Sequence, residues 1–202
     1  MSFFQNTCKP KGFGGNVMVN MMNIGHSSMA NWGFSHIRIQ DNAASLDIGC
    51  GGGANIRKML KKIPKGSVIG IDYSEVSVKK STKINQSAIE KNRCKIYQGN
   101  VLELPFENES FHLATAFETI YFWADLDQGF RQIYRVLKKD GIFMICNESN
   151  GENGKDKKWT EIIKGMKIYT SEQIEYSLKK AGFAQIKTDQ NDKGWLCVVA
   201  QK

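Results

Sequence analysis

From residue 43 onward, short apolar runs alternate with stretches in which apolar residues recur every three or four positions. The runs read as strands over 43–48, 68–71, 95–98, 111–117 and 142–146. Ile56, Met59, Leu60 and Ile63 line one face of a first helix, which Pro64 and Gly66 stop. Ser74 offers an N-cap to a second helix reaching about Asn92, and Asp125 caps a third whose apolar face is Leu126, Phe130, Ile133 and Leu137. Asp140-Gly141 turns that helix into the fifth strand. Thr170 and Gln173 have capping-box spacing, and Gly182 ends the helix they open. This alternation is that of βαβ units around a parallel sheet.

The pattern changes at the end. Runs 184–188 and 195–200 are joined by Asn191-Asp192-Lys193-Gly194, too short a link for a crossover helix, so these two strands pair antiparallel. At the start, Val17, Met18, Met21 and Met22, then Met29, Trp32, His36 and Ile39, form two short helical patterns ahead of the sheet.

At 202 residues the chain suits a single domain over 1–202, and 41% hydrophobic with 24% charged residues suits a globular one. No run approaches the ~18 apolar residues of a membrane span, and residues 1–6 lack a basic, then apolar, leader. A cytoplasmic protein with no membrane partner is expected. Cys8, Cys50, Cys94, Cys146 and Cys197 are scattered with no C-x-x-C pair, which argues against a disulfide framework and predicts no metal. The formal charge of +8 is carried by dispersed lysines with few arginines. That balance favours a solvated surface over a nucleic-acid partner, because arginine supplies the bidentate fork that reads phosphate and guanine.

Leu46-Asp47-Ile48-Gly49-Cys50-Gly51-Gly52-Gly53 joins the first strand to the first helix. Gly49, Gly51 and Ala54 also satisfy the dinucleotide fingerprint, so a nicotinamide cofactor has to be weighed. Asp47, at the mouth of the strand, would repel a pyrophosphate but favour the ammonium and sulfonium of S-adenosylmethionine. Asp72, closing the second strand, suits the ribose hydroxyls of either cofactor. Asn100, after the third strand, could address an adenine edge.

Together these segments resemble the class I, Rossmann-like S-adenosylmethionine-dependent methyltransferases, in their small-molecule branch. Asp47-x-Gly49-x-Gly51-x-Gly53 matches the first motif, 69–74 the acidic ribose motif, Gly99-Asn100-Val101 the adenine motif and 111–121 the fourth-strand motif. Residues 134–141 resemble the family's leucine-lysine-proline-glycine-glycine turn, with Lys139 where the family has proline. The resemblance implies a three-layer α/β fold over 44–200. Its mostly parallel seven-stranded sheet has the order 3-2-1-4-5-7-6 with strand seven antiparallel, and residues 1–40 form an N-terminal helical lid. It implies S-adenosylmethionine as cofactor, S-adenosylhomocysteine as product, and cofactor contacts from Asp47, Gly49, Cys50, Gly51, Asp72, Tyr73, Asn100, Val101 and Phe117.

Ligands of such sheets lie beyond the carboxyl ends of the strands, so the end of strand four, 116–123, faces the transferring methyl. Glu118 and Tyr121 are candidates there for proton transfer, with a cofactor-orienting or substrate-ammonium contact the alternative for Glu118 and core or rim packing the alternative for Tyr121, and His26 is a candidate from the lid. No Asp/Asn-Pro-Pro-Tyr follows strand four, as in amino-methylating enzymes of DNA and protein, and no Pro-Cys, as in cytosine-carbon methyltransferases. The expected acceptor is a small molecule. The alternatives are an RNA methyltransferase, which would cluster lysines at the pocket mouth, and a non-catalytic S-adenosylmethionine-binding regulator, whose pocket would have no room beside the methyl.

Overall fold

The helices and strands begin and end at residues suited to those tasks. A computed structural model describes residues 26–152, 154 and 156–202. The helical pattern expected around Met18, Met21 and Met22, and Cys8, lie outside the described residues.

Helix α1 (Ser27–Ser35) is followed by β1 (Ala44–Ile48), α2 (Ala54–Lys62), β2 (Ser67–Asp72), α3 (Glu75–Ile84), α4 (Gln86–Glu90) and β3 (Cys94–Gln98). Then come β4 (Phe111–Phe117), a 3-10 turn (Ile120–Phe122), α5 (Leu126–Val136) and β5 (Leu137–Asn147). The chain closes with α6 (Lys157–Ile162), α7 (Ser171–Ala181), β6 (Ala184–Gln190) and β7 (Leu196–Gln201). The sheet has the order β3-β2-β1-β4-β5-β7-β6, as expected. Strands β1 to β5 pair parallel, and β7 pairs antiparallel with both β5 and β6. Among the described residues no helix is long and apolar enough to cross a membrane.

Alternate residues of each strand feed opposite faces of the sheet. Leu46, Ile48, Ala114, Phe143 and Ile145 join Phe130, Ile133 and Leu178 of α5 and α7 on one face. On the other, Leu113, Phe117, Met144 and Cys146 meet Ile56, Met59 and Leu60 of α2 and Met29, Ala30 and Phe34 of α1. The capping expectations hold: Asp125 accepts from Gln128 N, Thr170 and Gln173 complete a reciprocal box, and Gly182 ends α7 at φ +106°.

Two segments differ from the sequence reading. The helix expected over 74–92 breaks at Asn85, whose amide donates to Ser81 O (3.0 Å) and across to Gly53 O (3.1 Å). That link ties the second helical layer to the glycine turn. The Asp140-Gly141 turn lies inside β5 rather than ahead of it, and Leu137 belongs to the strand. Pairing skips from Phe111↔Leu137 to Leu113↔Ile142, with Asp140 at φ +62°. Lys202 stabilises the bulge: its carbonyl accepts from Asp140 N and its N–H donates to Gly141 O.

Helix α1 is packed against the sheet. A Cβ on Gly33 would lie 2.7 Å from Cys146 Sγ. Gly33→Val should therefore cost about 1–3 kcal/mol by overpacking, read as a lower urea midpoint at unchanged slope. An unaltered midpoint would show that α1 does not close on β5.

Candidate active site

The site begins where β1 meets α2. Gly49 N and Cys50 N both donate to Ile71 O, at 2.8 and 3.1 Å, so the turn is sewn to β2. Asp72 completes the seam. One carboxylate oxygen accepts from Gly51 N at 2.9 Å and the other from Ser74 N at 2.8 Å. Burial pushes its pKa up, against the pull of those two amides and the Ser77 hydroxyl.

The glycines have separate reasons. Gly49 (φ +66°) and Gly53 (φ +79°) have no room for a side chain: a Cβ would meet Thr119 Oγ1 at 2.1 Å and Ser81 Oγ at 2.4 Å. Gly51 (φ +51°) has nothing within 4 Å of that position. Its bare backbone faces open space beside Asp72, the cradle that an adenosyl ligand needs and that a side chain would fill.

Asp47 lies beneath this turn and not at its lip, with 2% exposure. Leu46 and Ile48 point into the α5–α7 core, so Asp47 points to the other face, where Thr115 Oγ1 donates to it at 2.7 Å. Burial pushes its pKa up to about 7, the Asp72 charge adds to the rise, and the Thr115 hydroxyl opposes it. Cys50 is buried and its thiol is pushed well up by burial, which suits a packing residue. Tyr73 sits on the exposed rim and Val101 is buried. Asn100 is exposed, and its Oδ1 accepts from Leu102 N at 3.0 Å, an Asx turn. The Phe117 ring packs 5.0 Å from the Phe34 ring of α1.

The second half of the site forms where β4 and β5 end side by side. Glu118 leaves β4 at φ +56°, a left-handed conformation uncommon for glutamate, and its N–H donates to Cys146 O at 3.0 Å. Glu118 Oε1 accepts from the Glu148 N–H and from Tyr121 OH, the latter at 3.2 Å. Tyr121 OH in turn accepts from Ser149 N at 3.0 Å. From α1, His26 Nδ1 reaches within 3.2 Å of Glu148 Oε1 and 3.9 Å of Glu118 Oε2. Burial pushes Glu118 up to about 7; the His26 charge opposes this and the Glu148 charge adds to it. For His26, burial lowers the pKa but the two carboxylates outweigh it, so the net direction is up.

Thus His26 meets Glu118 and Tyr121, which lie far along the sequence from it, at one point. Glu148 was missed because it sits in a polar loop with no motif. The signal was the sheet order: Phe117 pairs with Cys146, so whatever follows β5 must flank Glu118. Ligand atoms of His26, Glu118 and Glu148 lie within 4.8 Å of one another, an unexpected grouping given the scattered cysteines. The cluster reads as an ion pair: Oε1 of Glu118 is already taken by two donors, and the imidazole stands at ion-pair distance from Glu148.

A seven-stranded sheet of this order, with an acid-seamed glycine cradle at its switch point, defines a class I methyltransferase-type domain. The family model described as "Methyltransferase domain" matches residues 39–196, and the chain belongs to that family. The chain is 32% identical to YrhH of Bacillus subtilis (strain 168), a protein carrying a methyltransferase name, over 63% of this chain and 69% of that one. It is 28% identical to 24-methylenesterol C-methyltransferase 2 of Arabidopsis thaliana over 75% of this chain, and spans 44% of the plant protein's length. Geranyl diphosphate C-methyltransferase of Streptomyces coelicolor, solved with Mg2+, a substrate analogue and S-adenosylhomocysteine, superposes with TM-score 0.72 at 13% identity, over 87% of this chain and 75% of that one. The cofactor is S-adenosylmethionine, and the open cradle at Gly51 and the carboxylate of Asp72 fit it.

Two outcomes test these placements. Gly51→Ala, whose methyl meets only open space although the φ of +51° strains any side chain, should cost about 1–2 kcal/mol of stability and lower S-adenosylmethionine affinity at least about tenfold in calorimetry, the scale of one displaced contact set; unchanged binding would move the cofactor elsewhere. Asp47, with its folded pKa raised, contributes stability that is whole below pH ~4 and lost as pH rises through about 7. Asp47→Asn should therefore match the parent at pH 4 and exceed it by on the order of a few kcal/mol at pH 8 without cofactor. Parallel stability profiles would contradict the buried-acid assignment.

Proposed function

We propose that the chain methylates a small molecule at an oxygen or carbon that must lose a proton, with Glu118 as the base. The single observation behind this reading is the Glu118 carboxyl: largely buried, with its side chain 16% exposed, raised to about 7 and fixed at the end of β4 beside the site. A base is most effective when its pKa lies near the working pH. The plant relative's name, a sterol C-methyltransferase, supports a small acceptor methylated at carbon.

When bound, S-adenosylmethionine supplies a methyl group on a sulfonium and departs as S-adenosylhomocysteine. The chain's own residues do the rest. Asp72 holds the adenosyl end through the ribose hydroxyls, the bare backbone of Gly51 leaves room for it, and Asn100 stands toward the adenine. The left-handed turn at Glu118 points its carboxyl away from the strand, so Oε2 is left to receive the acceptor's proton while Oε1 is pinned. Tyr121, its own pKa driven well up by burial, stays a neutral donor that fixes that rotamer. The packed lid excludes water from the displacement.

Radiolabelled S-adenosylmethionine should be turned over with phenols, hydroquinols or enols. Glu118→Gln should slow those acceptors by about 10²–10⁴-fold, the range of a lost general base, while cofactor affinity stays within about twofold. A matching fall in cofactor affinity would return Glu118 to a cofactor-contact role.

A further inference from the structure

We propose that helix α1 carries the charge that arms the base: His26 is a positioning residue, held by Glu148, that favours the ionised form of Glu118 while α1 is docked. This rests on the reading of Glu118 as the base. The geometry begins with who faces that carboxylate. Among the described residues there is His26 at the start of α1; from the 3-10 turn, Tyr121; from β5 and the loop beyond it, Cys146 and Glu148. Burial and neighbouring groups hold Tyr121 and Cys146 neutral, Cys146 chiefly through its neighbour Cys197. Glu148 is an acid. Of these groups His26 alone brings positive charge, and it lies between the two carboxylates at 3.2 and 3.9 Å.

A buried glutamate beside a second glutamate favours its protonated form, which cannot accept a proton. An imidazolium set beside both opposes that preference. The backbone shows the arrangement is imposed: Glu118 holds a left-handed φ of +56°, and Glu148 donates its own N–H to Glu118 while its side chain receives His26. Glu148 thus fixes both members of the pair.

Whether His26 is present depends on how α1 is held. Lys58 of α2 grips the first turn of α1, donating to Ser27 O at 2.7 Å, Ser27 Oγ at 2.9 Å and Asn31 Oδ1 at 2.9 Å. Met29, Ala30 and Phe34 bury the same helix against β4 and β5. Helix α2 itself is N-capped by Gly53, in the cofactor turn. The cofactor turn, α2, Lys58, α1, His26 and Glu118 therefore form one continuous set of contacts, and a displaced lid leaves the base without its cation.

The test needs no acceptor. In protein labelled with ¹³C at glutamate carboxyls, the Glu118 signal, assigned by Glu118→Gln, should titrate near 7. His26→Ala should raise its midpoint by about one unit or more, the usual size of a lost neighbouring charge, and His26→Lys should bring it back. Lys58→Ala, which leaves the cluster intact but loosens α1, should shift it the same way. Glu148→Gln should lower the His26 imidazole midpoint, since it removes that ring's nearer counter-charge. A Glu118 midpoint unmoved in both His26→Ala and Lys58→Ala overturns the proposal. So does stoichiometric Zn2+ or Mn2+ binding that is lost in His26→Ala, which would make the cluster a metal site. If the midpoints move as expected but Glu118→Gln keeps full turnover, the base assignment fails and the electrostatic coupling stands.

Discussion

The carboxylate of Asp72 holds the site together. It closes β2, yet both of its oxygens reach forward, one to the amide of Gly51 and one to that of Ser74. Those two bonds fix the glycine turn against the neighbouring strand and start α3 at the same time. Charge-assisted bonds of this kind are among the stronger ones a backbone can make. Gly49 and Gly53 then close the turn against Thr119 and against Ser81 and Asn85, so its shape is set from three sides while the fourth, at Gly51, stays open.

A second constraint is electrostatic. The chain is basic as a whole, +8, but its interior site is acidic. Burial pushes Asp47 and Glu118 up to about 7 and shifts Asp72 in the same direction. Buried acids are costly unless a positive partner or hydrogen bonds compensate. Here amides and hydroxyls compensate in part, and His26 supplies a cation at the acceptor end. At the cofactor end the natural partner is the ligand itself, whose ammonium and sulfonium are both positive. A surface charge of one sign and a pocket of the other explains why net charge was a poor guide to function.

The fold was legible because its signals are local and redundant. Asp125, Thr170, Gln173 and Gly182 mark helix ends by chemistry that acts within a few residues, and the short 191–194 link left no topology but a hairpin. The glycine turn and Asp72 were legible for the same reason. What escaped depended on contacts across the sheet. Asn85 breaks its helix to reach Gly53, far away in sequence. The bulge in β5 exists because Lys202 pairs with it. Glu148 gains its position from strand register alone, and Asp47 points inward because strand alternation, invisible in a run buried on both faces, sends Leu46 and Ile48 the other way.

Asp47 and Glu118, raised to about 7, are partly protonated at neutral pH and await a cationic cofactor. Calorimetry of S-adenosylmethionine binding at pH 7, repeated in buffers of different ionisation enthalpy, measures the proton exchange directly. A positive ligand stabilises the ionised acids, so the account predicts net proton release on binding, and less of it with S-adenosylhomocysteine, which lacks the sulfonium charge. Binding with no proton release, or equal release for the two ligands, would contradict it.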